Sequence, residues 1–223
     1  MSSRNPKHAL LAGFSEVAKM LGHVHRLEIL EQLAQGERSV ESLADRVGLS
    51  IANASQHLRL MRRAGLLVSR REGKCILYGL RDPTVLEALA AIQSVAERNS
   101  AEVREVIETY YHARDALEPV PRKELARRLR DDLVTILDVR PEDEYVAGHL
   151  PKAINIPLSE LGRRLKEIPK GRDIVAYCRG PYCAMSPQAV ALLERAGRRA
   201  RRLEDGYPEW RLAGLPIESG RGR

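Results

Sequence analysis

Aromatic residues are scarce in this chain, with one Trp, one Phe and an aromatic content of only 4%. Any packed core must therefore rest on Leu, Val, Ile and Ala, and a hydrophobic content of 43% is enough to build one. Long apolar runs are missing too. None approaches the roughly 20 residues needed to cross a bilayer, so no membrane partner is expected. Cysteine is rare as well. Three in 223 residues is an odd number in a mid-sized chain, which argues against a disulfide framework and for free thiols. The start, Met1 to His8, carries no secretory pattern. Together these absences predict a cytoplasmic protein of two ordinary domains.

The formal net charge is +7, which favours a polyanion partner without proving one. Most of that excess lies after Pro119, and the earlier half is nearly neutral. Its cations are clustered instead. Arg59, Arg62, Arg63, Arg70, Arg71 and Lys74 follow one another with only Glu72 opposing them.

The pattern up to about Leu117 is helical. Leu10, Leu11, Phe14, Val17, Ala18 and Leu21 form one apolar stripe, and Leu27, Ile29, Leu30 and Leu33 another. Ser39 starts a short helix that Gly48 stops. Ser50 caps the next, which runs to about Ala64 and ends at Gly65. Leu66 to Tyr78 reads as two strands about a charged turn at Gly73. From Pro83 a long amphipathic helix is expected to about Leu117. Pro119 and Pro121 then mark a linker. Beyond it, strand-like runs at 134–139, 153–156, 174–177 and 200–203 alternate with helical stretches at 158–168, 184–196 and 208–213. That alternation implies a parallel sheet covered by helices.

Two helices about Val47-Gly48-Leu49 make a helix-turn-helix. On the second helix Asn53 and Gln56 project together and suit bidentate contact with base edges. Ser50, Ser55, His57 and Arg59 flank them. Arg59, Arg62, Arg63, Arg70, Arg71 and Lys74 suit phosphate contacts. The strings Leu21-Gly22, Arg26 to Leu30, Ser55-Gln56-His57-Leu58 and Ala64-Gly65-Leu66-Leu67 resemble those of the ArsR-type winged helix-turn-helix repressors. The resemblance implies a homodimer, paired through the first and last helices of the module, on near-palindromic double-stranded operator DNA.

Many ArsR-type relatives sense metals, and this sequence departs from them. Val40 to Asp45 holds no cysteine, His112 lacks companions, and His23 and His25 diverge at a helix start. No metal site is expected. Cys75 reads as a buried structural thiol on a wing strand.

Cys178 ends the apolar run Ile174 to Tyr177. A Gly- and Pro-bearing loop follows, and a helix starts at Ala184. Loop N–H groups and a helix N-terminus should lower the pKa of such a thiol and stabilise anionic sulfur. The strings Leu137-Asp138-Val139-Arg140, Gly148 to Leu158, Tyr177-Cys178-Arg179-Gly180 and Glu204 to Trp210 resemble a single-domain rhodanese. The resemblance implies that Cys178 takes sulfane sulfur as a persulfide from a small donor and passes it to an acceptor. Arg179 would add positive charge, and Gly180 and Pro181 would shape the turn. Cys183 is open to two readings, a partner of Cys178 or a small apolar residue at a helix start. Phosphatase chemistry on the same loop is disfavoured, because the position that would carry its arginine is Ala184. Asp138, Arg140 and His149 read as structural, and the arginines at 195, 198, 199, 201 and 202 as a solvated surface.

The expected architecture is two domains: a mainly α winged helix-turn-helix over 1–117, a linker over 118–122, and an α/β rhodanese-like domain over 123–223. The expected function is a DNA-binding repressor that senses or transfers sulfane sulfur, with Cys178, Arg179, Gly180 and Cys183 as its chemical site and no cofactor. Two alternatives stand beside it. One is a thiosulfate or persulfide sulfurtransferase whose helical half dimerises. The other is a regulator that binds a thiophilic oxyanion or arsenical at Cys178 and Cys183.

Overall fold

The computed structural model describes residues 5–111 and 118–220. The chain divides into two units that meet at Ile92 and Gln93.

In the first unit, α1 (Pro6–Leu21) and α2 (Val24–Ala34) precede a short β1 (Arg38–Ser39). Then come α3 (Val40–Val47), α4 (Ile51–Arg63), β2 (Leu67–Glu72) and β3 (Cys75–Leu80). The serine caps predicted from sequence are in place. Ser39 Oγ accepts from the Ser42 N–H and Ser50 Oγ from the Asn53 N–H, each at 3.3 Å. Between them Gly48 ends α3 in the left-handed region at φ 69°, which a residue with a Cβ resists. Ile29, Leu30, Leu43, Leu58 and Met61 are fully buried and hold the three helices together. Strands β2 and β3 pair antiparallel about Gly73, and β1 adds to the far side of β3. This is a winged helix-turn-helix.

One expectation fails here. Cys75 is exposed, not buried. It lies opposite Glu72 at the tip of the two-stranded wing, beyond the reach of the core. The apolar stripe of α1 is uncovered among the described residues: Phe14 is 66% and Leu10 62% exposed, and only Leu21 is buried.

Helix α5 (Thr84–Asn99) begins in the first unit, and its last turns belong to the second. The sequence predicts one helix from Pro83 to Leu117, but it breaks at Ser100. The Ser100 hydroxyl accepts from the Val103 N–H at 3.3 Å and restarts the chain as α6 (Ala101–Val106), which passes into a π-helical turn, Ile107–Tyr111. Serine competes for backbone partners in this way and favours caps over helix interiors. The rest of that predicted helix, with His112 and Leu117, lies outside the described residues.

The remaining elements are α7 (Arg122–Arg130), β4 (Val134–Asp138), α8 (Glu142–Ala147), β5 (Ile154–Asn155), α9 (Leu158–Arg164), β6 (Asp173–Tyr177), α10 (Met185–Arg195), β7 (Ala200–Arg202) and α11 (Tyr207–Leu212). The four strands are parallel in the order β5-β4-β6-β7. Leu137, Val139, Ile174, Ala176 and Cys178 face one covering layer with α10, while Ile136, Val175 and Tyr177 face Trp210 and Tyr207 on the other. The chain leaves β4 for β5 on one side and then crosses to β6 on the other. The crevice beyond the carboxyl ends of β4 and β6 is thus the topological switch point, where open α/β sheets bind ligands. Val120, expected in a linker, is instead fully buried and bridged to Leu203 beside β7, with its N–H donating to the Arg202 carbonyl at 2.8 Å.

Candidate functional site

Helix α4 presents Asn53, Gln56, Arg59, Arg62 and Arg63 to solvent, while Ala54, Leu58 and Met61 are buried. A period of 3.6 makes that division, with the apolar set on one stripe and the polar set opposite. Ser50 caps the helix and Ser55 is half-buried. His57 differs from its neighbours. Its ring lies 4.7 Å from that of His23 and 6.3 Å from that of His25, and its Nδ1 is buried without a hydrogen-bond partner. Burial and the charges of His23, Arg26 and His25 lower its pKa. Among the described residues no group of His, Cys, Asp or Glu is placed to hold a metal ion.

The basic wing is less free than its composition suggests. Arg70 is paired with Glu37 at 2.7 Å and with Glu72 at 3.1 Å. The sequence, which set only Glu72 against the cluster, could not show that Glu37 meets it across the sheet. Arg62 donates to Ser69 Oγ at 3.0 Å, linking α4 to the wing. Arg71 and Lys74 are exposed near the hairpin tip, with Arg71 Nε donating to the Gly73 carbonyl.

In the second unit β6 delivers Cys178 to the switch point. Its sulfur lies 3.2 Å from Ser186 Oγ and 3.7 Å and 3.8 Å from the carbonyls of Cys183 and Gly180. The Ser186 N–H also points at Cys178, while the Met185 and Arg179 N–H groups point at Cys183. The first turn of α10 and the loop thus cradle both sulfurs, as the strand–loop–helix pattern predicts. The direction of the Cys178 pKa is reversed, however. Cys178 is only 1% exposed, and burial pushes its thiol up. Cys183 carries the anion in its place. Donation from the Cys178 thiol, the two N–H groups and the nearby Arg179 bring its pKa down to about 6.

Arg179 is not a free cation above the sulfur. Its guanidinium grips the fully buried Glu144 of α8 in a two-pronged ion pair at 2.6–3.1 Å. Glu144 was not foreseen. Gly180 closes the turn by accepting from the Cys183 N–H at 3.2 Å, yet a Cβ on it would make only ordinary contact with Glu209. The indispensable glycine is Gly206, where a Cβ would sit 2.3 Å from Gly180 N and 2.5 Å from the Arg179 carbonyl carbon. The start of α11 thus lies directly on the backbone of the cysteine loop.

Asp138, Arg140 and His149 support this floor. Arg140 is fully buried, binds Asp138 at 2.6–3.2 Å, donates to the Gly148 carbonyl at 2.7 Å, and lies 4.5 Å from the centre of the Tyr207 ring. His149 stacks on Tyr145 at 3.7 Å. The arginines at 198, 201 and 202 are not simply solvated. They donate to the carbonyls of Ile168, Glu118 and Leu203, tying loops to the sheet.

Residues 21–70 match the model for a Helix-turn-helix domain and residues 121–213 that for a Rhodanese-like domain. The HTH-type transcriptional regulator Rv0324 of Mycobacterium tuberculosis is 45% identical over 218 residues, covering 96% of this chain and 94% of that protein. The chain belongs to the HTH-type transcriptional regulators. Two further likenesses divide between its halves. A sulfurtransferase of Allochromatium vinosum is 39% identical over 100 residues, 44% of this chain and 92% of that protein. The solution structure of the homodimeric winged helix-turn-helix DNA-binding domain of a possible ArsR-family transcriptional regulator from Mycobacterium bovis is 35% identical, covering 46% of this chain and 94% of that one, with a TM-score of 0.42. The regulator therefore joins a helix-turn-helix domain to a rhodanese-like domain. None of the regulator's described helices is long and apolar enough to cross a membrane.

Gly206 gives the regulator a direct test of this geometry. Gly206→Ala must displace the Arg179–Gly180 backbone, because neither contact is with a flexible side chain. Alkylation of Cys183 by iodoacetamide, half-maximal near pH 6 in the parent, should move toward the ordinary thiol range of about 8.5 in this variant. An unchanged alkylation profile would mean that the loop N–H groups do not set the Cys183 pKa.

Proposed function

We propose that the regulator represses as a homodimer on a near-palindromic operator and that sulfane sulfur received by the Cys178–Cys183 loop releases it. The observation that carries this reading is a pair of cysteines in one short loop, with the Cys178 sulfur 3.7 Å from the Cys183 carbonyl and 3.2 Å from Ser186 Oγ at the start of α10. In the first step the proton of Cys178 passes to the Cys183 thiolate. The Cys178 thiolate then attacks the outer sulfur of thiosulfate, the bond to the sulfonate sulfur breaks, and sulfite leaves with the electron pair. A persulfide remains on Cys178. In the second step the Cys183 thiolate, its proton lost again to water, attacks Cys178 Sγ. Hydrosulfide leaves, and the two cysteines are joined. An inorganic polysulfide serves as donor in the same way, with a shorter polysulfide as leaving group.

Dimer formation is supported by apolar surface left exposed among the described residues: Leu10, Leu11 and Phe14 on α1, and Val95, Val106 and Tyr110 on α5 and the segment after it. Paired recognition helices would then meet successive major grooves about 34 Å apart. The free thiols fit a reducing, cytoplasmic setting.

Treating the operator complex with polysulfide tests the proposal. Release that dithiothreitol reverses, and that Cys75→Ser leaves unchanged, supports it. Release that persists in Cys178→Ser overturns it. The likeness to a sulfurtransferase favours a second reading, an enzyme whose helical half serves to dimerise. Multiple turnover of thiosulfate with cyanide, together with no sequence preference on DNA, would select that reading.

On DNA, Gln56→Ala should weaken specific binding by about 1–3 kcal/mol and leave non-specific binding unchanged. Arg71→Ala should weaken both and lower the salt slope by about 1. Competition titrations at two salt concentrations separate the two effects. An unchanged base preference in Gln56→Ala would place the reading face elsewhere.

A further inference from the structure

Tyr182, the residue before Cys183, does not take part in the sulfur chemistry derived above, yet it is held on both sides. Its hydroxyl donates to the carboxylate of Glu97 near the end of α5. Its ring meets that of Tyr111, at the end of the π-helical turn, edge to face at 5.5 Å. Burial and the Glu97 carboxylate both hold the Tyr182 phenol protonated, so it stays a donor across the physiological range. Beside it opens a cleft of about 430 Å³ lined by Gln93, Val103, Val106 and Ile107 together with Tyr111 and Tyr182. The ring is thus tied at two points and has free space on another side.

We propose that Tyr182 is the coupling residue of the regulator: joining Cys178 to Cys183 pulls the Tyr182 hydroxyl off Glu97 and loosens α5, α6 and the turn that follows. This rests on the sulfur-loop reading above. The loop from Cys178 to Cys183 is short, and the Cys183 N–H is already bonded to Gly180. Closing a disulfide requires the two sulfurs to come within about 2.05 Å, which draws the loop in around Cys183. A hydroxyl hydrogen bond one residue away is lost once its oxygens part beyond about 3.0 Å. The adjacent cleft gives the ring somewhere to go. Glu97, left without its donor, lies on the same continuous helix as Val85 and Leu86, which are buried in the first unit. A change in α5 is therefore felt by the module that carries α4. The coupling can be no larger than the difference in Tyr182–Glu97 stability between open and joined loops, and 5–150-fold in operator affinity is the usual range for such a link.

Hydrogen exchange on the full chain tests this separately from DNA release. The loop is joined either by polysulfide or by diamide, and intact mass confirms the loss of two hydrogens. In the parent protein, joining should raise amide exchange across 93–111. In Tyr182→Phe, which removes the hydroxyl donor, and Glu97→Leu, which removes its acceptor, exchange across 93–111 should already be raised with the loop open. Joining should then add little, although the mass change occurs as before. The proposal is overturned if the parent shows no exchange change on joining, if both variants respond as the parent does, or if neither reagent joins the cysteines. Operator release is measured in parallel. Exchange changes without release would leave the coupling contact standing and remove the repressor mechanism. Release without exchange changes would do the reverse.

Discussion

Cys178→Ser is expected to abolish sulfur transfer from thiosulfate to cyanide, leaving only the uncatalysed rate. A serine hydroxyl has a far higher pKa than a thiol and cannot hold sulfane sulfur. The same variant should stay on its operator when polysulfide is added. Cys183→Ser is expected to behave differently. It retains the sulfur that accepts the persulfide but lacks the neighbouring thiolate that takes the Cys178 proton. Loading of Cys178 should slow severalfold or more, and no joined loop should form. The pH dependence follows from the direction of the shifts. Cys183 is the low member of the pair at about 6, so loading in the parent should fall as pH drops through that value and Cys183 becomes protonated. Stopped-flow loading between pH 5 and 8 reads this directly. A flat profile, or parental turnover by Cys178→Ser, would remove the pair from the mechanism.

Arg140→Leu is expected to destabilise the rhodanese-like unit by about 3–5 kcal/mol. Arg140 and Asp138 are both fully buried, and removing the cation leaves a carboxylate in the interior with Tyr177 as its remaining side-chain donor. The double change Asp138→Asn with Arg140→Leu should recover much of the loss, because it removes the orphaned charge as well. The chain has a single tryptophan, and Trp210 is buried against this same layer. Its fluorescence in urea therefore reports the unfolding of this unit within the full chain. A single variant that costs less than about 1 kcal/mol would show that Arg140 does not hold the floor of the cysteine loop.

The sequence carries the architecture because its local signals agree with one another. Ser39, Gly48 and Ser50 act at the chain level, through a single cap or a single left-handed residue, and the structure uses all three as read. The parallel sheet was legible because β4 and β6 are mostly apolar, as strands buried on both faces tend to be. Helices α7 and α8 escaped notice because they bury few apolar residues, Leu125 on one and Tyr145 on the other, and so carry little periodic signal.

The site was legible as a list of residues and not as a set of charges. Glu144 and Glu37 are distant in sequence from the arginines they neutralise, 35 residues from Arg179 and 33 from Arg70. Pairing at that range is decided by packing, which a linear reading cannot see. The reversal at Cys178 has the same origin. The cradle of N–H groups can be inferred from strand, loop and helix start, but the depth of burial that outweighs it cannot. Gly206 could have been weighed from the Asp205-Gly206-Tyr207 string. Its role is close approach and not turn geometry, since its φ of −126° suits any residue.

One experiment bears most directly on the claim that sulfur chemistry in the loop governs DNA occupancy. The operator complex is titrated with polysulfide, and each sample is divided between intact mass spectrometry and a gel shift. The account predicts that the fraction of chains with Cys178 joined to Cys183 tracks the fraction of DNA released, and that dithiothreitol reverses both together. Fully joined loops on a still-occupied operator, or release with Cys178 and Cys183 unmodified, would contradict it.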